Sequence, residues 1–164
     1  MMVNFKEVKN MLKIGDELET LAMACYTLNQ DYCDAITLDY EYTFWADLDR
    51  DVQLSYIAAV YTLFNKLELM YPQDRTNVDK LAKEQHDAWL ESRKAEGWSF
   101  GLSVNKELKT HPNMVEWEEL SHEEKLKDIL FVTTVLAHFN RIKKIGSERL
   151  MTNEERKRLE SLDE

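Results

Sequence analysis

HDAWLESRKAEGWSFGLSVNKELKTHPNMVEWEELSHEEK, residues 86 to 125, sets three tryptophans (Trp89, Trp98, Trp117) around the breakpoints Gly97, Gly101 and Pro112. Its reading decides the fold. Upstream, Thr76-Asn77 opens a helix whose positions Val78, Leu81, Ala82, Gln85 and Trp89 fall on one side. Gly97 is expected to end it, because glycine relieves the strain of a left-handed C-terminal cap. Residues 97 to 120 read as mostly non-helical, with Trp98, Phe100 and Val104 in a short extended piece. Pro112 also forces an extended backbone at His111. Ser121-x-x-Glu124 is a capping-box signature, and the helix that follows carries Leu126, Ile129, Leu130, Thr133, Leu136, Ala137 and Asn140 before Gly146. The stretch is therefore a helix-loop-helix unit.

Working outward, Phe5, Val8, Leu12, Leu18, Leu21, Ala22 and Cys25 recur at helical steps, predicting one or two amphipathic helices to about Leu28 with Gly15 as a break. Asp31 to Asp51 holds seven acids and one base and reads as a short helix followed by an irregular connection. From Asp51 to Met70, Leu54, Ile57, Ala58, Tyr61, Phe64 and Leu67 form an apolar stripe. Asp49 or Asp51 can cap its start, and Tyr71-Pro72 stops it. Beyond Ser147, Thr152-x-x-Glu155 starts a short charged helix. The expected architecture is an all-α helical bundle with at most a short extended piece. It comprises an N-terminal helical extension (residues 1–72), the helix-loop-helix domain (76–146) and a charged C-terminal helix or tail (147–164).

Composition narrows the function classes. Apolar residues make up 44% of the 164, which suits one globular unit, and four glycines with two prolines leave little turn chemistry for many strands. A net charge of -10 argues against binding bulk nucleic acid, since phosphate neutralisation needs a basic surface. Between residues 93 and 111, however, Arg93, Lys94, Lys106 and Lys109 outnumber Glu96 and Glu107, a positive island suited to a small anion. No apolar run approaches the ~20 residues of a membrane span, and MMVNFKEVKN lacks the apolar core of a secretion signal, so a cytoplasmic protein is expected.

Cys25 and Cys33 lack CxxC spacing and read as buried free thiols. Asp47-x-Asp49-x-Asp51 opens like a calcium loop, but Val52 and Ala58 stand where that loop needs glycine and glutamate. The four histidines form no i, i+4 pair and no HExxH, so no metal and no cofactor are expected. His86 and His111 read more readily as imidazoles that satisfy buried backbone groups. No nucleophile motif or phosphate-cradling glycine loop is present.

The order His86-Asp87-x-Trp89, Gly97-Trp98-x-Phe100-Gly101, Lys109-x-His111-Pro112 and Trp117, Leu120, Glu124-Lys125 resembles the ryanodine-receptor (RyR) repeat domain over roughly residues 76 to 145. The resemblance implies a small, mainly helical module. In the channels, such modules stand in tandem pairs and have been associated with adenine-nucleotide binding, whereas isolated bacterial and viral ones look like sensors or binders of nucleotide-derived signals in conflict systems. It places the site on Trp89, Trp98, Phe100, Lys109, His111, Pro112 and Trp117. Phe100 departs from the commoner tyrosine and loses a hydroxyl; Trp117 replaces a phenylalanine or tyrosine. An indole between two glycines can offer a flat face to a base, and a nearby Arg or Lys can meet a phosphate.

The expectation is a non-enzymatic binder of a nucleotide-derived small molecule, ADP-ribose-like or cyclic, such as a viral anti-defence sponge. Its ligand-binding residues would be Trp89, Arg93, Lys94, Trp98, Phe100, Lys109, His111 and Trp117. The alternative reading makes Trp89 and Trp98 packing residues with solvated charges around them. The rival functions are a protein-interaction module without a small ligand, and a hydrolase or lyase acting on the same signal. Because one RyR-like unit stands where channels have pairs, a symmetric homodimer is expected, using the Leu54 to Leu67 stripe, with Tyr40, Tyr42 or Trp45 closing the ligand site.

Overall fold

A computed structural model of the chain describes residues 15–160, with side-chain burial from 17 to 145. Four helices pack together: α1 (Gly15–Ile36), α2 (Arg50–Glu68), α3 (Val78–Ala95) and α4 (His122–Glu160). Between α3 and α4, β1 (Ser99–Phe100) pairs in parallel with β2 (Thr110–His111), Ser99 opposite Thr110 and Phe100 opposite His111. The architecture is the all-α bundle with a short extended piece that the periodicities predict. Phe5, Val8 and Leu12 lie outside the described residues.

Each helix buries one stripe. In α1, Leu18, Leu21, Ala22 and Cys25 are buried, and the same face runs on through Tyr26 and Cys33, so the helix is longer than expected. In α2 the stripe is Ile57, Val60, Leu63, Phe64 and Leu67, with Leu54 and Tyr61 at its margin. Leu81, Ala82, His86 and Leu90 are the buried residues of α3. These faces and the α4 stripe share one core cluster, so the N-terminal helices are part of the same hydrophobic interior as the rest. The α2 stripe is consequently spent within the protomer and is not available to join two copies.

Local chemistry explains the ends. The Asn77 side chain accepts from the Lys80 N–H at 3.1 Å and caps α3. Asp49 occupies the cap of α2 without a side-chain cap bond. Arg75 instead closes the far end of α2, donating to the Leu67 and Met70 carbonyls at 2.9 Å while its guanidinium lies 4.6 Å from the Phe139 ring centre. Gly97 ends α3 in the left-handed region at φ +87°. The Ser121 hydroxyl accepts from the Glu124 N–H at 3.2 Å, one half of the capping box, while the Glu124 carboxylate turns to Asn113 and Lys127.

Two expectations about α4 need correction. Its most buried residues are Val132, Val135, Phe139 and Ile142; of the expected face, Ile129 and Leu136 pack at the core's margin and Leu126 and Leu130 are partly buried, while Thr133, Ala137 and Asn140 are exposed. Apolar residues occur all round this helix, so periodicity alone leaves its rotation open, and the bulk of Phe139 decides it. The helix also continues through Gly146 and Thr152 to Glu160 instead of stopping and restarting. An interior glycine costs only ~1 kcal/mol, which the following run of glutamate, arginine, lysine and leucine offsets.

Candidate functional site

Where α3, α4 and the two N-terminal helices diverge, they leave a cavity of about 410 Å³. That volume falls within the range of small-molecule sites. The α3 wall supplies His86, Trp89 and Arg93, which the helical repeat places on one face at i, i+3 and i+7. The α4 wall supplies Glu124, Lys127, Asp128 and Phe131. His111 and Asn113 enter from β2 and the turn after it, and Tyr56 of α2 and Cys25 of α1 close the remaining side.

The imidazoles are fixed by backbone groups. His86 is 3% exposed, and its Nε2 meets the Val115 carbonyl at 2.8 Å. With that nitrogen donating, Nδ1 faces Asp128 Oδ2 at 3.8 Å. His111 Nδ1 accepts from the Asn113 N–H at 3.0 Å, and burial, with Arg93 and Lys127 adding to it, holds the His111 pKa below the ordinary histidine value. Both histidines therefore organise the loop, as expected of imidazoles that satisfy backbone groups. Trp89 packs between them, its ring 5.2 Å from His111 edge-on and 5.8 Å from His86.

Asp128 is the anomaly of the α4 wall. It heads the stripe that continues as Val132, Val135, Phe139 and Ile142, a position where the pattern calls for an apolar residue. Among the described residues no hydrogen bond reaches its carboxyl, which is 25% exposed, and His86 Nδ1 faces it at 3.8 Å. Burial raises its pKa to about 7, with the Glu124 charge pushing the same way and Lys127 opposing. Glu124 by contrast is well satisfied, accepting from Asn113 Nδ2 and from Lys127 Nζ at 2.9 Å.

The Trp98 loop behaves differently. Arg93 lies over the Trp98 ring, its guanidinium carbon 5.3 Å from the centroid, and also pairs with Glu96 at 3.2 Å. Lys109 donates to the Glu96 carbonyl at 2.8 Å, capping α3, and adopts a left-handed φ of +52°. Lys94 pairs with Glu91 at 3.3 Å on the surface. A Cβ on Gly101 would lie 2.5 Å from the Thr110 Cβ, so the strand pairing requires glycine there. Trp98 is half-buried and stands outside the cavity, as do Phe100, Lys94 and Lys109. Trp117 packs against the core beneath Lys125, whose ammonium is 5.5 Å from the ring centre.

Of the eight residues chosen from sequence, the cavity gathers Trp89, Arg93 and His111. It adds Lys127, Asp128 and Tyr56, which sequence reasoning missed. Tyr40, Tyr42 and Trp45 do not line it; Trp45 instead packs on Tyr26 and Tyr56, with ring centres 5.7 and 6.3 Å away. Cys25 and Cys33 are buried free thiols, and burial pushes Cys25 up to about 12. Among the described residues there is no metal-holding cluster of His, Cys, Asp and Glu, and no helix long and apolar enough to cross a membrane.

The RyR domain family matches residues 66–143. This chain carries a RyR domain. The match opens at residue 66 rather than 76, taking in the last turn of α2 that Arg75 clasps. The RyR domain thus contributes α3, the β-paired loop and most of α4 to the cavity, while Cys25 and Tyr56 come from the preceding helices.

Proposed function

We propose that the protein is a non-enzymatic binder that holds a nucleotide-derived small molecule in the cavity between the RyR domain and the N-terminal helices. The observation that carries this reading is the convergence of an indole, two cations and a carboxyl on one recess: Trp89, Arg93, Lys127 and Asp128. Stacking of a base on an indole contributes roughly 1 to 3 kcal/mol, and a guanidinium can meet a phosphate bidentately. An ADP-ribose-like or cyclic signal has both parts. Sequestration of such a signal, as by a viral sponge, is the biological role this reading gives, with a symmetric homodimer as the working assembly.

Isothermal titration of the full chain with ADP-ribose isomers and cyclic dinucleotides tests the reading. Micromolar binding by one of them is the expected result, and no binding by any at millimolar concentration contradicts it. Chromatography of the same mixtures should recover the ligand intact; a product peak would assign the cavity carboxylates and histidines to hydrolysis instead.

A second reading has its own observation. Phe100, Leu102, Val104 and Leu108 are all at least half exposed on the loop between α3 and α4, an apolar surface suited to a protein partner. If polar substitution at Leu102 and Leu108 abolished function while leaving ligand binding intact, that surface would be the working one.

A further inference from the structure

We infer that the Asp128 carboxyl is the specificity group of this cavity, reading a flat heterocycle whose edge sets an acceptor nitrogen beside an N–H donor. The inference rests on the ligand-binding reading of the cavity. It starts from a packing anomaly: a carboxyl stands at the head of the buried α4 stripe, its side chain 25% exposed. A carboxyl that lines an open cavity without a hydrogen bond from a described residue keeps its donor and acceptor sites free for a ligand.

The surroundings decide which edge is complementary. A neutral carboxyl offers one donor and one acceptor, whereas a carboxylate offers acceptors alone. Glu124, one helical turn away on α4, adds negative charge beside Asp128, and burial acts in the same direction, so the acid titrates at about 7 rather than near 4. Around neutrality a large share of the molecules therefore carries the proton. His86 from α3 faces one carboxyl oxygen at 3.8 Å, beyond hydrogen-bond reach. A base stacked on Trp89, on the α3 wall opposite, would bring its edge to the α4 wall, accepting the Asp128 proton on a ring nitrogen and donating an amino N–H in return.

Binding should then be linked to protonation. Arg93 of α3 and Lys127 of α4, paired with Glu96 and Glu124 in the free protein, would exchange those partners for the ligand's phosphates. Cys25 of α1 and Tyr56 of α2 are both pushed up to about 12 by burial and stay neutral. His111 is held below its ordinary value and is also neutral above pH 6.5. Loss of the Asp128 proton removes the donor.

The test is titration of the full chain with ADP-ribose, whose diphosphate does not change charge over this range, and with its 6-deamino analogue, which keeps the stacking surface and phosphates but lacks the amino donor. Wild type should bind ADP-ribose about tenfold more weakly at pH 8.5 than at pH 6.5, and the analogue roughly tenfold more weakly than ADP-ribose at pH 6.5. Asp128→Asn, a permanently neutral donor and acceptor, should match wild type at pH 6.5 and lose the pH dependence; Asp128→Ala should bind weakly at both. Equal binding of the two ligands, an affinity that rises with pH, or an Asn variant that keeps the wild-type pH profile overturns the inference while leaving the cavity a binding site. Failure of every variant and wild type to bind either ligand overturns the binding reading itself.

Discussion

Trp89 and Trp98 stand nine positions apart in sequence, each near Arg93, yet their surroundings have opposite economies. At Trp98 the neighbouring cations serve the loop: Arg93 covers the ring and pairs with Glu96, Lys109 caps α3, and Lys94 pairs with Glu91; in the cavity Lys127 is likewise paired, with Glu124, so cations alone do not distinguish the two. At Trp89 the wall opposite holds a carboxyl without a hydrogen bond from a described residue and a cavity of about 410 Å³. The lesson is that a glycine-flanked indole with nearby positive charge describes a well-built loop as easily as a ligand platform. A carboxyl whose bonding sites face an open volume separates the two.

Substitutions can break that comparison. The largest effect is expected from Trp89→Ala, which should weaken ADP-ribose binding by roughly 10- to 100-fold in calorimetry, as loss of a base-stacking ring does. If it bound as well as wild type, the cavity would lose its claim.

Next comes the pH dependence of stability. The folded state holds Asp128 near 7 against an ordinary value of 3.8, so folding favours the protonated acid. Its contribution is fully present below about pH 4 and is lost as pH rises to 7. Asp128→Asn should therefore raise Tm by several degrees at pH 8, equivalent to about 1 to 3 kcal/mol, and change it little at pH 4. An unchanged Tm at both pH values would contradict a carboxyl whose ionisation the fold disfavours.

The loop yields smaller effects. Gly101→Ala should cost about 1 to 2 kcal/mol in denaturant melts, because its Cβ meets Thr110, and Thr110→Gly should recover most of that loss. Trp98→Ala sharpens the comparison from the other side: it should lower Tm by a few degrees yet leave ligand affinity within about threefold, since the Trp98 ring stands outside the cavity.

Much of this arrangement was legible in sequence where a single local rule governs. The Asn77 cap, the Gly97 stop and the stripes of α1 and α2 each follow from neighbours a turn away. Trp89, Arg93 and His111 came from the motif order, and the structure gathers all three. The α4 wall did not, because Lys127 and Asp128 reach the cavity through the packing of α4 on α3, and the rotation of α4 is ambiguous when apolar residues encircle it. A signal existed nonetheless: an acid in register with Val132, Val135, Phe139 and Ile142 breaks the apolar pattern where the helix begins to bury. The glycines around Trp98 act as backbone devices, and the lysine beside them serves the Glu96 carbonyl, a contact that spacing alone does not reveal.

A crystal structure of the full chain grown with ADP-ribose tests the central claim most directly. The account predicts ligand density in the recess, the base against Trp89 with its edge toward Asp128 and the diphosphate toward Arg93 and Lys127. Density resting instead on Trp98 and the exposed loop, with the recess filled only by solvent, would contradict it.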